Sequence, residues 1–111
     1  MKRDYKLFLN DIKESMNILK RYVAGVSEEQ FLNTLDIQDK VIRRLEIIGE
    51  ASSNIPRAIK DANKHIPWFE MINFRNFVVH HYYEASLSRI WNIVTIRLPI
   101  IQKAMQNIKL L

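Results

Sequence analysis

Residues 37–52, IQDKVIRRLEIIGEAS, decide the fold of this chain. Their apolar side chains recur every three or four positions, which is the period of an α-helix with one buried face. Thr34 or Asp36 starts this helix, and Pro56 lies just past its end. We therefore predict a long amphipathic helix whose buried stripe consists of Ile37, Val41, Leu45, Ile48 and Ser52.

The preceding residues show the same period. A first helix is predicted from about Asp4 to Ala24, and Gly25 ends it. Residues 27–30, Ser-Glu-Glu-Gln, have the spacing of a capping box and start a short second helix. The connection at 56–67, bounded by two prolines, is expected to contain a helical turn.

Two further long helices are predicted after this connection. One runs from Trp68 to about Tyr82, and the other from Glu84 to about Ile108, where Pro99 should kink or split it. No stretch alternates with period two for long enough to form a strand. We predict a single all-α domain over 1–111, a small up-and-down bundle of four main helices plus short helical turns.

Composition limits the function classes. The chain of 111 residues contains no Cys and carries a net charge of +5, spread along its length, which is compatible with an RNA or nucleotide partner. The charged N-terminus lacks the pattern of a signal peptide, and no apolar run approaches membrane-spanning length. We expect a cytoplasmic protein. There is no glycine-rich phosphate loop and no metal-ligand spacing, so no cofactor or metal is expected.

Residues 75–82, RNFVVHHY, place polar groups inside an apolar helical segment at R-x4-H-x-Y spacing. Cleaving RNA without a metal needs a base that removes the 2′-hydroxyl proton and a cation that stabilises charge on the phosphate oxygens. His80 suits the first role because imidazole titrates near neutral pH. Arg75 suits the second because its guanidinium binds phosphate oxygens as a fork.

Helix geometry qualifies this hypothesis. Arg75 and His80 are five residues apart, roughly 140° around an ideal α-helix. They converge only if the arginine reaches round, if the helix distorts, or if a second subunit completes the site. Asn76 shares a face with His80 and could fix its tautomer.

Structural interpretations of the same residues remain open. His80 alone would usually be a structural histidine, and Arg75 could form a buried ion pair with Glu46 or Glu50. Tyr82 alone would be an amphipathic residue at the core edge. Gly49 lies within a helix, which indicates either a close helix crossing or simple tolerance.

Three segments in order resemble the HepT-like ribonuclease toxins of the HEPN superfamily, and the likeness covers nearly the whole chain. They are residues 38–51 with the ending Ile-Gly-Glu-Ala, residues 66–68 (Ile-Pro-Trp), and residues 75–82, followed by Trp91 and Leu98-Pro99. Two positions depart from the pattern: Asn73, where relatives often have Gly, and His81, where an acidic residue is frequent.

The resemblance implies a metal-independent endoribonuclease in which Arg75 and His80 are catalytic and Asn76 is their polar neighbour. It implies that Tyr82 is the residue to which the antitoxin, a minimal nucleotidyltransferase of the MntA type, transfers AMP. Such toxins are homodimers whose motif helices face a shared cleft.

From the residues we also predict a homodimer, through the first helix and the motif helix, because Phe74, Phe77 and Val78 extend the apolar surface of the motif helix. Two alternatives stay open: a non-catalytic helical module that binds a nucleotide or a nucleotidyltransferase, and a purely structural dimer.

Overall fold

A computed structural model describes residues 3–76 and 84–111, and all regular structure in these ranges is helical. The elements, in chain order, are α1 (Tyr5–Val23), α2 (Glu28–Leu32), α3 (Leu35–Ser53), α4 (Arg57–Ala62), α5 (Trp68–Asn73), α6 (Glu84–Asn92), a π-helical turn (Ile93–Arg97) and α7 (Leu98–Met105). The predicted all-α, up-and-down bundle is confirmed. No helix within the described ranges is both long enough and apolar enough to cross a membrane.

The helix ends follow the local chemistry expected from the sequence. Gly25 has φ = 72°, a left-handed conformation that side chains with a Cβ rarely adopt, and it terminates α1. The predicted capping box is present: the backbone N–H of Gln30 donates to Ser27 Oγ, and that of Ser27 donates to Gln30 Oε1. Thr34 is the N-cap residue of α3, and it is one of the two starting positions predicted from the sequence.

The core lies between α1, α3 and the last helix. Val41, Leu45 and Ile48 of the α3 stripe are buried, and Ser52 is fully buried at the end of that stripe. The α1 residues that face them are Leu9, Ile12, Met16 and Leu19. Burial of this kind stabilises the fold by roughly 25 cal/mol for each Å² of apolar surface removed from water.

The last helix accommodates Pro99 by changing its winding. Proline has no N–H to donate, and its ring collides with the carbonyl four residues earlier in an α-helix. The chain forms a π-helical turn over Ile93–Arg97 immediately before it, with the Leu98 N–H donating to the carbonyl of Ile93. This confirms the predicted split. The helix ends at Met105, three residues earlier than expected.

The motif helix differs from the prediction. The α-helix ends at Asn73, and residues 74–76 form a tighter 3₁₀ turn, so the ideal α-helical angles do not apply there.

Phe74 was predicted to extend an apolar surface for a dimer, together with Phe77 and Val78, but its side chain is only 1% exposed in the single chain. That part of the prediction is wrong. Residues 77–83 lie outside the described residues.

Two polar contacts anchor α5. The indole N–H of Trp68, at its first residue, donates to the carbonyl of Asn63 (3.1 Å). At Glu70 the carboxylate receives two hydrogen bonds from Arg97, one from Nε (2.8 Å) and one from Nη2 (2.6 Å). This bidentate pair ties α5 to the π-helical turn, so it fixes the helix that leads to Arg75 against the rest of the bundle.

The Glu70–Arg97 pair should make stability depend on pH. Hydrogen bonds from Arg97 lower the pKa of Glu70 below its ordinary value, and the arginine's charge adds to this while partial burial opposes it. A lowered folded-state pKa gives stability that is present above the unfolded pKa and lost as pH falls through the folded value. We therefore expect Glu70→Gln to be less stable than wild type at pH 7, with the difference shrinking below about pH 4.5. Urea unfolding at pH 7 and pH 3.5 measures this, and a difference that stays constant with pH would contradict it.

Candidate functional site

Gly49 brings α3 and the motif segment into close contact. A Cβ built at this position would lie 3.0 Å from the backbone N of Arg75 and 3.1 Å from the carbonyl O of Ile72. These distances are tighter than nine in ten real Cβ contacts, so a larger residue here would require the backbone around Arg75 to move by a few tenths of an ångström. Of the two explanations left open by the sequence, the close helix crossing is the one found. The crossing fixes the backbone from which the Arg75 side chain leaves.

A cleft of about 590 Å³ opens beside this crossing. Its walls come from the N-terminal end of α1, the C-terminal half of α3 and the 3₁₀ turn that carries Arg75 and Asn76. The volume lies within the range of ordinary small-ligand sites, roughly 300–1,000 Å³. Two of the four predicted site residues, Arg75 and Asn76, therefore line one cavity.

Arg75 contacts Glu50 of α3 at 3.3 Å, through Nη1 and Oε2. The two side chains are 45% and 68% exposed, so the pair is a surface pair and not the buried one that the structural interpretation required. Exposed pairs contribute roughly 0–1 kcal/mol. Because this contact uses a single N–H of the guanidinium, the remaining donors have no partner among the described residues and can bind an incoming anion.

Two more arginines line the cleft, and each lies beside a carboxylate. Arg3 contacts Asp11 at 2.7 Å, and Arg43 contacts Glu46 at 3.8 Å. Glu46, the other proposed partner of Arg75, thus pairs elsewhere. Three guanidinium groups and three carboxylates give the cleft no net formal charge, so a phosphate that enters must compete with resident carboxylates for the arginines.

Asn76 is held by a neighbour on its own turn. Its Nδ2 donates to Asn73 Oδ1 at 2.9 Å. Asn73, one of the two positions where the resemblance led us to expect a different residue, supplies the acceptor that orients Asn76. The Oδ1 of Asn76 has no partner within the described part of the chain.

The remaining predicted site residues, His80 and Tyr82, lie outside the described residues, so their distances from Arg75 stay predictions. Among the described residues, no group of three or more His, Asp or Glu side chains is placed to hold a metal ion.

The contribution of α1 to the site was not predicted from the sequence. Arg3 lies just before α1, and Phe8 and Asp11, three residues apart, share a face of its first turns. Arg43, Glu46 and Glu50 also follow the three- and four-residue spacing of a single α3 face. These spacings are visible in the sequence. Only the packing of α1 on α3 shows that the charged face of α1 meets the charged face of α3.

The chain matches the family described as "Ribonuclease HepT-like" over residues 12–108. Its relatives include a Thermococcus cleftensis protein named "Probable ribonuclease HepT", 35% identical over 98% of this chain and 99% of that one. A Methanocaldococcus jannaschii protein named as a candidate RNase is 38% identical over 95% of this chain and 96% of its own length. The chain belongs to the HepT-like ribonuclease family. No solved structure gives a significant match.

Another Methanocaldococcus jannaschii relative is named both as a gamma-glutamylcyclotransferase and as a candidate RNase. It is 34% identical over 97% of this chain, which spans about half (49%) of that longer protein.

Gly49→Ala tests the close crossing. Removing glycine from a helix gains about 1 kcal/mol, whereas overpacking against backbone costs about 1–3 kcal/mol. We expect a net loss of about 1 kcal/mol in the free energy of unfolding, together with at least a tenfold loss of RNA cleavage as Arg75 is displaced. The matched control is Gly25→Ala, whose left-handed backbone makes it destabilising by about 1 kcal/mol far from the cleft. Equal cleavage by the two variants would contradict this role for Gly49.

Proposed function

We propose that this protein is a metal-independent endoribonuclease toxin that cleaves RNA with Arg75 and His80. The observation that carries the proposal is the Arg75 guanidinium, which lies at a 590 Å³ cleft and, within the described residues, donates a single N–H to Glu50. A phosphate can therefore receive a two-pronged contact from the arginine without first dismantling a buried ion pair. Membership of the HepT-like ribonuclease family supports RNA as the ligand.

In the proposed reaction His80 removes the proton from the 2′-hydroxyl, and the 2′-oxygen attacks the adjacent phosphorus. The bond to the 5′-oxygen of the next nucleotide breaks and that oxygen takes a proton from water, which leaves a 2′,3′-cyclic phosphate on one fragment and a 5′-hydroxyl on the other. Arg75 stabilises the negative charge that builds on the non-bridging oxygens. Within the described residues the Oδ1 of Asn76 has no partner, so it can accept the N–H of His80 and fix its tautomer.

We also propose a homodimer in which the motif segments of two chains share a cleft. Phe74 cannot contribute, because it is buried within its own chain. Leu7 of α1 remains exposed on the helix that forms one cleft wall, which supports the proposed part of α1 in the interface. A shared cleft would let Arg75 of one chain act on the same phosphate as His80 of the other.

Regulation is proposed to act through Tyr82. A minimal nucleotidyltransferase encoded beside this gene would transfer AMP from ATP to the tyrosine hydroxyl, with pyrophosphate as the leaving group. The added phosphate would occupy the uncommitted donors of Arg75 in place of the RNA backbone. In the proposed toxin–antitoxin pair, inhibition therefore needs no change of fold.

Purified protein should cleave total RNA in the presence of EDTA. His80→Ala should lower the rate at least roughly 100-fold because the general base is lost. Arg75→Lys should fail to restore it, because lysine keeps the charge but loses the fork. Gel electrophoresis with end-group analysis for the cyclic phosphate measures both. Cleavage that stops on chelation and returns with Mg²⁺ would overturn the mechanism.

Two controls separate the alternatives. Mixing Arg75→Ala chains with His80→Ala chains should restore part of the activity if the cleft is shared, because a mixed dimer contains one intact pair. No restoration, together with a 13.2 kDa species in light scattering, would remove the dimer from the proposal. Wild-type protein that binds RNA but never cleaves it would leave the non-catalytic module as the function.

Tyr82→Phe should escape the antitoxin. The substitution removes only the hydroxyl, so the variant should still cleave RNA, but co-expression with the neighbouring nucleotidyltransferase should no longer silence it. Mass spectrometry of the co-expressed wild-type toxin should place AMP on Tyr82. Adducts on Tyr83 or Tyr22 instead, or a Tyr82→Phe protein still silenced by AMP transfer, would sink this part of the proposal.

A further inference from the structure

A second cavity continues the cleft beyond Arg75. It measures about 720 Å³ and shares Arg3 and Phe8 with the first cavity, so the two cavities adjoin at the start of α1, and the second is called the outer groove. The outer part lies against the end of α3 at Ser53 and Asn54. A chain-like ligand whose phosphate is at Arg75 would extend into this outer groove.

The shared wall of the groove is a stacked pair. The guanidinium of Arg3 lies over the ring of Phe8, 4.8 Å from its centroid, and Asp11 holds it there through the 2.7 Å ion pair. Cation–π contact and the ion pair together fix the plane of the guanidinium. Guanidinium planes and aromatic rings are the surfaces on which proteins stack unpaired nucleobases.

The charge of the outer groove favours a base over a second phosphate. Its formal charges are those of Arg3 and Asp4, which cancel, and Asp4 already caps α1 by accepting the Lys6 N–H. Tyr5 adds a second aromatic side chain to this wall. At the opposite rim, Asn54 donates from Nδ2 to the carbonyl of Glu50, which leaves its Oδ1 without a partner among the described residues. That oxygen can accept an N–H from a base edge.

We propose that the Arg3–Phe8 stack is a subsite for an unpaired nucleobase next to the phosphate bound at Arg75. The substrate class is therefore single-stranded RNA, because a base within a duplex is already stacked and cannot lie on the arginine. This inference rests on the proposed function, since Arg75 must hold the phosphate. Arg3 acts here as a stacking surface for the base, and its charge is balanced by Asp11.

The test uses two labelled hexanucleotides that cannot be cleaved because their 2′-oxygens are methylated. One carries adenine at every position, and the other has the same backbone with abasic units. Fluorescence anisotropy should show that wild type binds the adenine oligomer about tenfold more tightly. Arg3→Lys keeps the positive charge but loses the planar guanidinium. The preference for the adenine oligomer over the abasic one should therefore fall below twofold, while the affinity for the abasic oligomer stays unchanged.

Further variants make the result specific. Phe8→Leu keeps an apolar side chain against the core but removes the ring under Arg3, and it should also lose the preference, with folding checked by circular dichroism. Phe69→Leu removes an exposed phenyl ring that lines neither cavity and should keep the preference. Arg75→Ala should weaken binding of both oligomers by the same factor.

Two results would overturn the subsite. One is equal binding of the two oligomers by wild type, and the other is a full tenfold preference retained by both Arg3→Lys and Phe8→Leu. Failure of the proposed function looks different. A wild-type protein that prefers the adenine oligomer but cleaves no RNA would remove the ribonuclease mechanism and leave the base subsite supported.

Discussion

The contact between the Cα of Gly49 and the backbone around Arg75 is the constraint on which the site depends. It sets the separation of α3 from α5 at a distance that a larger residue would disturb, because backbone atoms would lie 3.0–3.1 Å from an added Cβ. The Trp68 and Glu70 contacts then fix the other end of α5. A short segment held at both ends presents one arginine to the cleft with a defined direction.

Charge balance in the cleft sets how a ligand can enter. Each of the three cleft arginines already lies beside a carboxylate, so attraction of RNA from a distance is modest even though the chain carries a net charge of +5. Exposed pairs are weak, and a two-pronged phosphate contact is stronger than the single hydrogen bond between Arg75 and Glu50. The arrangement therefore favours local geometry over overall charge as the source of recognition.

The fold was readable from the sequence because helix period and helix-end chemistry are local properties. Gly25, the capping box at Ser27 and the Pro99 discontinuity were all predicted, and each rests on contacts within a few residues. The 3₁₀ turn at 74–76 and the burial of Phe74 were not predicted, because both depend on how the motif segment packs against α3.

The site was readable only in part. The spacing of Arg75 and Asn76 identified two cleft residues, but the sequence could not show that Asn73 orients Asn76 or that Glu50, and not Glu46, pairs with Arg75. The α1 wall was missed because residues in separate helices meet only through tertiary packing. Which of several charged side chains on one helix face forms an ion pair depends on the position of the helix to within a few ångströms. The period of the sequence does not contain that information.

The central claim is that the Gly49 crossing holds Arg75 ready for a phosphate. The most direct measurement is a nuclear magnetic resonance titration of the arginine Nε–Hε signals with inorganic phosphate, in wild type and in Gly49→Ala. We predict a saturable shift of the Arg75 signal in wild type and a much weaker one in Gly49→Ala. An Arg75 signal that never responds to phosphate in wild type, or that responds equally in both proteins, would contradict it.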